Sequence, residues 1–374
     1  MNYRYKLEVL TPLHVGSGEK ITPIEYVVKE KLYRIDMGKL FAEESFPRNA
    51  FITRAKTGIY LGELFTDWAI LPKVTRYALS IDISHTQDIT RPSAEIQEFI
   101  KSADRPYIPG SSIKGAMRTA IAWRLLVKGG LKSRYERAIS NSLGRKRRKH
   151  FFSQQANREL FGSDPNHDLM RIIQIGDTQP LNMENLEVNL VRILSKQDRG
   201  YGWKVLPQRR TVKNPETATP IFLETLRVGT VTEGSLKIDD WLLGEEIARV
   251  LGFKGKEHLL NRVGDACKEF SSAILESELN FYKAIGMRNL IEKVEEILNT
   301  SLSPDSFIID LGWGTGWKAK TVGTSLRDDL LSRIRREFRL GRQGQPFPKT
   351  RKVLFQNGVP SMPCGWVKIT LKEA

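Results

Sequence analysis

Cysteine and histidine are scarce in this sequence. Cys267 and Cys364 are the only cysteines and form no paired spacing, which argues against a disulfide framework or a cysteine zinc site. The five histidines show no HExxH or other ligand spacing, which argues against a metal site. The sequence therefore predicts neither redox chemistry nor a bound metal, and it indicates no cofactor.

Long apolar runs are also missing. No run of about 18 apolar residues is present, so we expect no membrane-spanning helix. The first residues, MNYRYKLEVLTPL, alternate like a strand and lack the charged start, apolar run and cleavage site of a signal peptide. We therefore expect a cytoplasmic protein without a membrane partner.

Positive charge, by contrast, is plentiful. Lysine and arginine number 59 against 43 acidic residues, which gives a net charge of +16 and a pI near 9.7. Such a balance favours a polyanionic partner such as nucleic acid. The basic run GRKRRKH, residues 144–150, is predicted to lie in an exposed loop.

Hydrophobic patterns predict a mixture of strands and helices. The first strand, Tyr3 to Leu10, alternates apolar and charged residues. A helix is predicted over Ser111 to Val127, capped by Ser111 or Ser112, and a short helix over Pro92 to Lys101. Because strands and helices mix without regular βαβ alternation, the fold class is predicted to be α+β.

The length of 374 residues and the 40% apolar content suit two domains with their own cores. A polar segment from about Gly200 to Pro220 looks like the connection. We therefore predict an N-terminal domain over residues 1–205 and a C-terminal domain over residues 206–374. The second domain is predicted to open with a hairpin, IFLETLRVGTVTEGSLKID, whose turn lies at Glu233-Gly234.

Two glycine-rich stretches raise the question of nucleotide binding: YIPGSSIKGAMRTAI, residues 107–121, and DLGWGTGWKAKTVG, residues 310–323. Gly110 and Gly115 have Walker A spacing, but Ala116 and Met117 follow where lysine and a hydroxyl residue are needed. The second stretch places its lysines at the wrong offsets as well. Neither stretch is a GxGxxG loop opening a βαβ unit, so ATP and dinucleotide binding are both disfavoured.

A phosphate chain can still bind such loops, because glycines admit close approach and helix N-termini attract anions. Ser111 and Ser112 add hydroxyl donors at the predicted helix start, and Lys114 and Arg118 lie one turn apart. In the second stretch, tryptophans and lysines alternate as in sites for single-stranded RNA; these residues are Trp313, Trp317, Lys318 and Lys320. The alternative is that the tryptophans belong to the core and that the glycine turns are structural.

Catalytic candidates are few. His14 precedes Gly16-Ser17-Gly18 in a predicted loop, where it could act on RNA as a general acid or base or could simply shape the turn. Asp310 and Asp36 are lone carboxylates without a paired arrangement. No GxSxG elbow or Cys/His pairing is present.

Four motifs together carry a family resemblance: LTPLHVGSGE, IPGSSIKGAMRTAI, LFGSDP and GWGTGWKAKT. In their order and spacing they resemble the RAMP superfamily of CRISPR proteins. Within it, the chain is similar to the subunits that cap type III-A Csm effector complexes at the crRNA 3′ end. The resemblance runs from the first strand to the C-terminal glycine loop.

The resemblance implies two tandem ferredoxin-like (RRM-like) RAMP domains with helical insertions, whose glycine-rich loops grip RNA. It also implies partners: the 3′ region of crRNA, a repeated RAMP backbone subunit, a small helical subunit of the Csm complex, and a host nuclease for crRNA trimming. The implied RNA contacts are His14, Gly16, Ser17, Gly18, Ser111, Ser112, Lys114, Gly115, Arg118, Gly312, Gly314, Thr315, Gly316, Lys318 and Lys320. The aromatic pattern of ordinary RRM sheets is missing.

The leading hypothesis is thus a non-catalytic crRNA-binding cap that supports crRNA maturation and antiviral defence. The alternative is a metal-independent endoribonuclease that processes crRNA with His14 as general acid or base. Whether Trp313, Trp317 and Lys318 contact RNA or the adjoining backbone subunit stays open at this point.

Overall fold

The computed structural model describes residues 1–56, 58–143, 153–208, 210–253, 263–342 and 344–374. Strands and helices mix throughout, and the sheets are curled, so the predicted α+β class with helical insertions is confirmed. Among the described helices, none combines the length and the apolar character needed to cross a membrane.

Eighteen strands in the described part of the chain build the sheets. They are β1 Asn2–Val9, β2 Gly16–Ile21, β3 Tyr26–Val28, β4 Leu32–Ile35, β5 Thr75–Ile81, β6 Ile96–Phe99, β7 Lys101–Ser102, β8 Arg105–Pro106, β9 Ile173–Ile175, β10 Leu186–Lys196, β11 Tyr201–Val205, β12 Arg210–Val212, β13 Ile221–Leu226, β14 Val231–Ile238, β15 Ser306–Asp310, β16 Thr350–Gln356, β17 Val359–Met362 and β18 Trp366–Glu373.

The first sheet has the strand order β15-β18-β1-β14-β9. Its central strand, β1, is antiparallel to both neighbours, with Tyr5 opposite Gly234 on one side and Leu371 on the other. The first strand of the sequence is therefore paired along both of its edges.

The side chains of β1 alternate between the two faces of this sheet. Tyr5, Leu7 and Val9 are buried, whereas Arg4 and Lys6 are exposed. Successive residues of a strand point to opposite faces, so one face of β1 packs in the core and the other meets solvent, as the sequence pattern predicts.

The second sheet has the main path β2-β6-β13-β10-β5-β4-β3, and β11, β12, β16 and β17 extend it through β10. The strand β10 is its organising element, because it pairs with β13, β16 and β11 in antiparallel register and with β5 in parallel register. A separate two-stranded sheet joins β7 to β8.

Twelve α-helices lie within the described ranges. They are α1 Met37–Ala42, α2 Arg48–Ala55, α3 Leu71–Val74, α4 Thr86–Ile89, α5 Gly110–Val127, α6 Lys132–Ser142, α7 Gln154–Phe161, α8 Glu245–Leu251, α9 Val263–Lys283, α10 Arg288–Leu298, α11 Gly316–Lys320 and α12 Asp328–Phe338.

The main core is formed by the sheets and the long helices. Ile113, Met117 and Ile121 of α5 are buried in it at four-residue spacing, as are Phe270 and Ile274 of α9. A smaller core lies around the short helices α1, α2 and α3 and forms a helical insertion. The long helix α5 is thereby held by its apolar face, which fixes the position of its first turn.

The predicted division near residue 205 stays a prediction. Strands from both sides of it share each of the two large sheets: β1 lies between β14 and β18 in the first, and β10 pairs with β16 in the second.

Some local predictions were wrong. Residues 96–99 form the strand β6 within the predicted Pro92–Lys101 helix, because the parallel partner β13 provides a ladder for them. Glu233 and Gly234 lie inside β14, and the predicted hairpin does not form, because β13 belongs to the second sheet and β14 to the first. The basic run 144–150 lies outside the described residues.

Candidate nucleic-acid interface

Three glycine-rich segments carry the predicted contacts. We call them the first loop, residues 14–18, which runs into β2, the second loop, residues 107–115, which runs into α5, and the third loop, residues 310–323, which contains α11. The first and third loops are in direct backbone contact. The amide N–H of Trp313 donates a hydrogen bond of 2.8 Å to the carbonyl oxygen of His14. Gly312 has φ +74°, and a Cβ atom at this position would lie 2.2 Å from the same oxygen. Glycine is therefore required here both for its backbone conformation and for the close approach of the two loops.

The second and third loops line a common cleft of about 440 Å³. One wall is the first turns of α5 and the other is the loop between β15 and α11. Six of the predicted contact residues line this cleft: Ser111, Ser112, Gly115, Gly312, Thr315 and Lys320. Three segments that are far apart in sequence are thus assembled at one place, with the His14 backbone supporting Gly312.

The first turn of α5 is held by a carboxylate from another segment. The helix follows Pro109, and the backbone N–H of Gly110 donates a hydrogen bond of 2.8 Å to Oδ1 of Asp177. The predicted cap at Ser111 or Ser112 was therefore wrong, since both serines lie inside the first turn. Ser111 is exposed, so its hydroxyl is available to a ligand in the cleft.

The two cations of α5 have different surroundings. Both guanidinium nitrogens Nη1 and Nη2 of Arg118 lie 2.8 Å from the carboxylate of Asp168, and the guanidinium stacks 3.7 Å from the ring centroid of Phe161. Lys114 is half-buried, and burial lowers its pKa, with Asp168 opposing that change. Arg118 therefore has a structural partner that the sequence did not reveal.

The two lysines of the third loop also differ. Lys320 is exposed and lines the cleft. Lys318 is half-buried and donates a hydrogen bond to the hydroxyl of Ser277, and burial lowers its pKa. Lys320 is therefore the lysine of this loop that can reach a phosphate in the cleft.

Both tryptophans of the third loop are engaged within the protein. The ammonium nitrogen of Lys352 lies 3.7 Å from the ring centroid of Trp313, and the His14 ring meets the same indole edge-on. Trp317 packs against Phe347 with ring centroids 4.8 Å apart. These contacts support the alternative in which the tryptophans serve packing.

His14 is enclosed, with only 2% of its surface exposed. Its Nδ1 lies 2.7 Å from the carbonyl oxygen of Glu224, and its ring meets Phe99 edge-on. Burial is the main cause that lowers the pKa of His14 to about 4. The ring is therefore neutral at pH 7 and shielded from a substrate, which supports a structural role.

Glu224 organises the surroundings of His14. No sequence pattern predicted this role. Its buried carboxylate accepts hydrogen bonds from the Tyr77 hydroxyl at 2.9 Å and from the Phe99 backbone N–H at 2.8 Å, and it pairs with Lys101. A buried network whose members all have partners stabilises a single arrangement, here that of the strands beneath the loops.

The chain reaches the surface after the buried Val15. Gly16, Ser17 and Gly18 are exposed. The Ser17 hydroxyl lies 3.4 Å from the carbonyl oxygen of Glu98 and 3.3 Å from its carboxylate, and it can donate to either. The predicted contacts that do not line the cleft are His14, Gly16, Ser17, Gly18, Lys114, Arg118, Gly314, Gly316 and Lys318. Their contact with RNA stays a prediction.

The chain is similar to known proteins. The RAMP superfamily model matches residues 6–318. A protein of Methanocaldococcus jannaschii named CRISPR system Cms protein Csm5 is 23% identical over 98% of this chain and 88% of its own length. The protein of the same name from Streptococcus thermophilus is 29% identical over 60% of this chain and 65% of its own length.

Solved structures share the fold. A chain in the cryo-EM structure of a Csm-crRNA-target RNA ternary complex of a type III-A CRISPR-Cas system aligns over all of both chains, with a TM-score of 0.68 and 23% identity. The crystal structure of T. onnurineus Csm5 aligns with a TM-score of 0.66 and 22% identity, over 97% of this chain and 99% of that one. The resemblance carried by the four sequence motifs is thereby confirmed. The chain described here belongs to the RAMP superfamily.

Proposed function

We propose that this chain is a crRNA-binding subunit of a type III-A CRISPR Csm effector complex that caps the 3′ region of the crRNA without cutting it. The observation that carries the proposal is the convergence of the second and third loops on one cleft that exposes Lys320, Ser111 and the first turn of α5. Helix N-termini and lysine side chains both favour phosphate oxygens.

The charge of the chain and its relatives support the same partner. A net charge of +16 raises the local concentration of a polyanion. The relatives carry the name Csm5, and one structural neighbour is part of a complex that contains crRNA. We further propose the protein partners that the family resemblance implies: a repeated RAMP backbone subunit and a small helical subunit, with a host nuclease trimming the crRNA.

The cleft residues are the proposed RNA contacts. The hydroxyls of Ser111 and Ser112 and the backbone at Gly312 suit hydrogen bonds to phosphate oxygens, Gly115 leaves space for a close approach, and Lys320 supplies the charge. Because these groups address the backbone rather than base edges, we expect the cleft itself to bind RNA with little sequence preference.

Salt dependence tests the binding. The purified chain is titrated with a labelled single-stranded repeat RNA between about 50 and 200 mM salt. Neutralising Z phosphates on a single strand gives a log-log slope of about −0.7Z, so three contacts predict a slope of about −2. An affinity that is unchanged over this range would contradict the proposal.

Incubation of the same RNA with the chain in EDTA tests the absence of cutting. We expect bound and intact RNA. Cleavage that disappears in a folded His14→Ala variant would establish the endoribonuclease alternative instead.

A further inference from the structure

A second cavity, of about 410 Å³, borders the same glycine loop. This size is within the range of pockets that hold small molecules. Asp310 and Thr315 line both the cavity and the cleft, so the two spaces meet at the start of the loop. Trp317, Phe347 and Ile274 give the cavity apolar walls.

Several charged groups in the cavity already have partners. The Nε atom of Arg351 pairs with the carboxylate of Glu278, and the guanidinium stacks 4.1 Å from the ring centroid of Phe281, whereas its Nη2 atom is buried without a hydrogen-bond partner among the described residues. Lys318 donates to Ser277. These contacts hold the walls of the cavity in place.

Asp310 and Lys352 have no ion-pair partner among the described residues. The Oδ1 atom of Asp310 is buried and has no hydrogen-bond partner among the described residues. The ammonium of Lys352 lies over the Trp313 ring, and the ion pairs found in the described part of the chain do not include it. Buried polar groups without partners are rare in native structures, and each calls for an explanation.

We propose that this cavity binds a guanine nucleotide unit, with Asp310 accepting hydrogen bonds from the base and Lys352 donating one to it. Guanine presents two adjacent donors, N1–H and the 2-amino group, and an acceptor, O6, on one edge. A carboxylate and an ammonium match that set. Adenine offers an acceptor at N1 where guanine has a donor, and it lacks O6.

The surroundings of Asp310 favour the protonated carboxyl, so a base that donates two N–H groups must also shift this residue to its ionised form. Burial is the main cause that raises its pKa, Glu278 adds to this, and Lys320 and Lys352 oppose it. Two N–H donors from a base would favour the ionised carboxylate and would satisfy the buried oxygen. The aromatic side chains beside the cavity supply apolar contact for the base.

The guanine unit has two sources, a free nucleotide or a guanosine of the RNA in the adjacent cleft. The second source rests on the proposed function. Two experimental arms therefore separate them.

In the first arm, GMP, IMP and AMP are titrated separately while tryptophan fluorescence is recorded, since Trp317 lines the cavity. IMP keeps O6 and N1–H but lacks the 2-amino group. We expect GMP to bind about tenfold more tightly than IMP and more tightly still than AMP, as a site built for a hydrogen bond rejects an analogue that lacks it.

In the second arm, an RNA with one guanosine is compared with the same RNA carrying inosine or adenosine at that position. Binding is measured at one salt concentration. If the chain prefers guanosine in the RNA but does not prefer free GMP, the ligand of the cavity is a guanosine of the RNA. If it prefers only free GMP, the ligand is a free nucleotide. A preference in both arms means that the cavity accepts guanine from either source.

Asp310→Asn replaces one acceptor by a donor at nearly constant volume, and we expect it to remove the guanine preference in whichever arm shows it. The matched control is Asp305→Asn, an exposed aspartate just before the same strand, which should keep the preference. Lys352→Met is the second variant and should also weaken the guanine preference. Thermal melts of Lys352→Met and Asp310→Asn show that each variant is folded.

The absence of a guanine preference in both arms would overturn the proposal, as would a preference that survives both Asp310→Asn and Lys352→Met. If RNA does not bind the wild-type chain at all, the proposed function is contradicted. The titration with GMP, IMP and AMP then tests by itself whether the cavity binds guanine.

Discussion

The buried cluster around His14 and the open cleft beside it both adjoin glycine-rich loops but have opposite surroundings. His14 is 2% exposed and Glu224 is fully buried, whereas Lys320 and Ser111 face solvent. The comparison teaches that one glycine loop can serve as a support for another. The closed cluster sets the position of Gly312, and the open cleft presents the groups that can meet a ligand.

The largest expected effect concerns the buried cluster around His14. Glu224→Gln removes the buried counter-charge of Lys101 and leaves it only Glu98, at 3.3 Å. We expect the free energy of unfolding to fall by about 3–5 kcal/mol. Urea unfolding of the variant and the wild type measures it. Glu19→Gln, at an exposed position, is the control and should change little. A loss as small as the control's would show that the cluster does not support the loops.

The contact between the two loops is tested at Gly312. Gly312→Ala combines a positive φ with a Cβ 2.2 Å from the His14 carbonyl oxygen, and we expect a loss of about 2–5 kcal/mol in urea unfolding. Gly316→Ala is the matched control. Its φ of +77° is also positive, but nothing lies within 4 Å of the added Cβ. It should cost about 1 kcal/mol. Equal losses would contradict a role for the close approach.

The burial of His14 predicts a pH dependence of stability. Its pKa is about 4 in the folded chain against an ordinary value of 6.5, so the unfolded chain binds more protons between these values. Stability therefore falls as the pH drops below 6.5, and the loss is complete below about 4. Between pH 7 and pH 5 this group should account for about 2 kcal/mol.

Urea unfolding at several pH values measures that loss. The non-titrating variant His14→Gln should show a smaller slope of unfolding free energy against pH than the wild type. Identical slopes would mean that His14 titrates alike in both states.

The smallest expected effect concerns the open cleft. Lys320→Ala should reduce RNA affinity a fewfold and lower the salt slope by about 0.7, the value for one phosphate contact on a single strand. Its stability should be unchanged because the side chain is exposed. Lys6→Ala, at an exposed position of β1, is the control. If the salt slope of Lys320→Ala equals that of the wild type, Lys320 does not contact an RNA phosphate.

Local patterns predicted much of the fold. The alternation in β1 and the apolar pattern of α5 each correspond to an observed element. The strand β6 could not be recognised, because its pairing with β13 depends on residues more than a hundred positions away. Local sequence carries no record of such a partner.

The candidate site was predicted in part. Glycine, serine and lysine at the loops signalled a close approach and a phosphate chain, and six of the residues named from sequence line one cleft. The partners Asp168 and Asp177, and the Glu224 network, are carboxylates that only the tertiary fold brings near their cations and amides. Their sequence context resembles that of any other acidic residue.

The position of β1 between β14 and β18 has a consequence for how the chain is made. Residues 2–9 leave the ribosome long before residues 366–373, which form one neighbour of their strand. The central strand of the first sheet must therefore wait, with one edge unpaired, until the last of its partners has been synthesised. Pairings of such long sequence separation form slowly, and an unpaired edge can meanwhile pair with another chain.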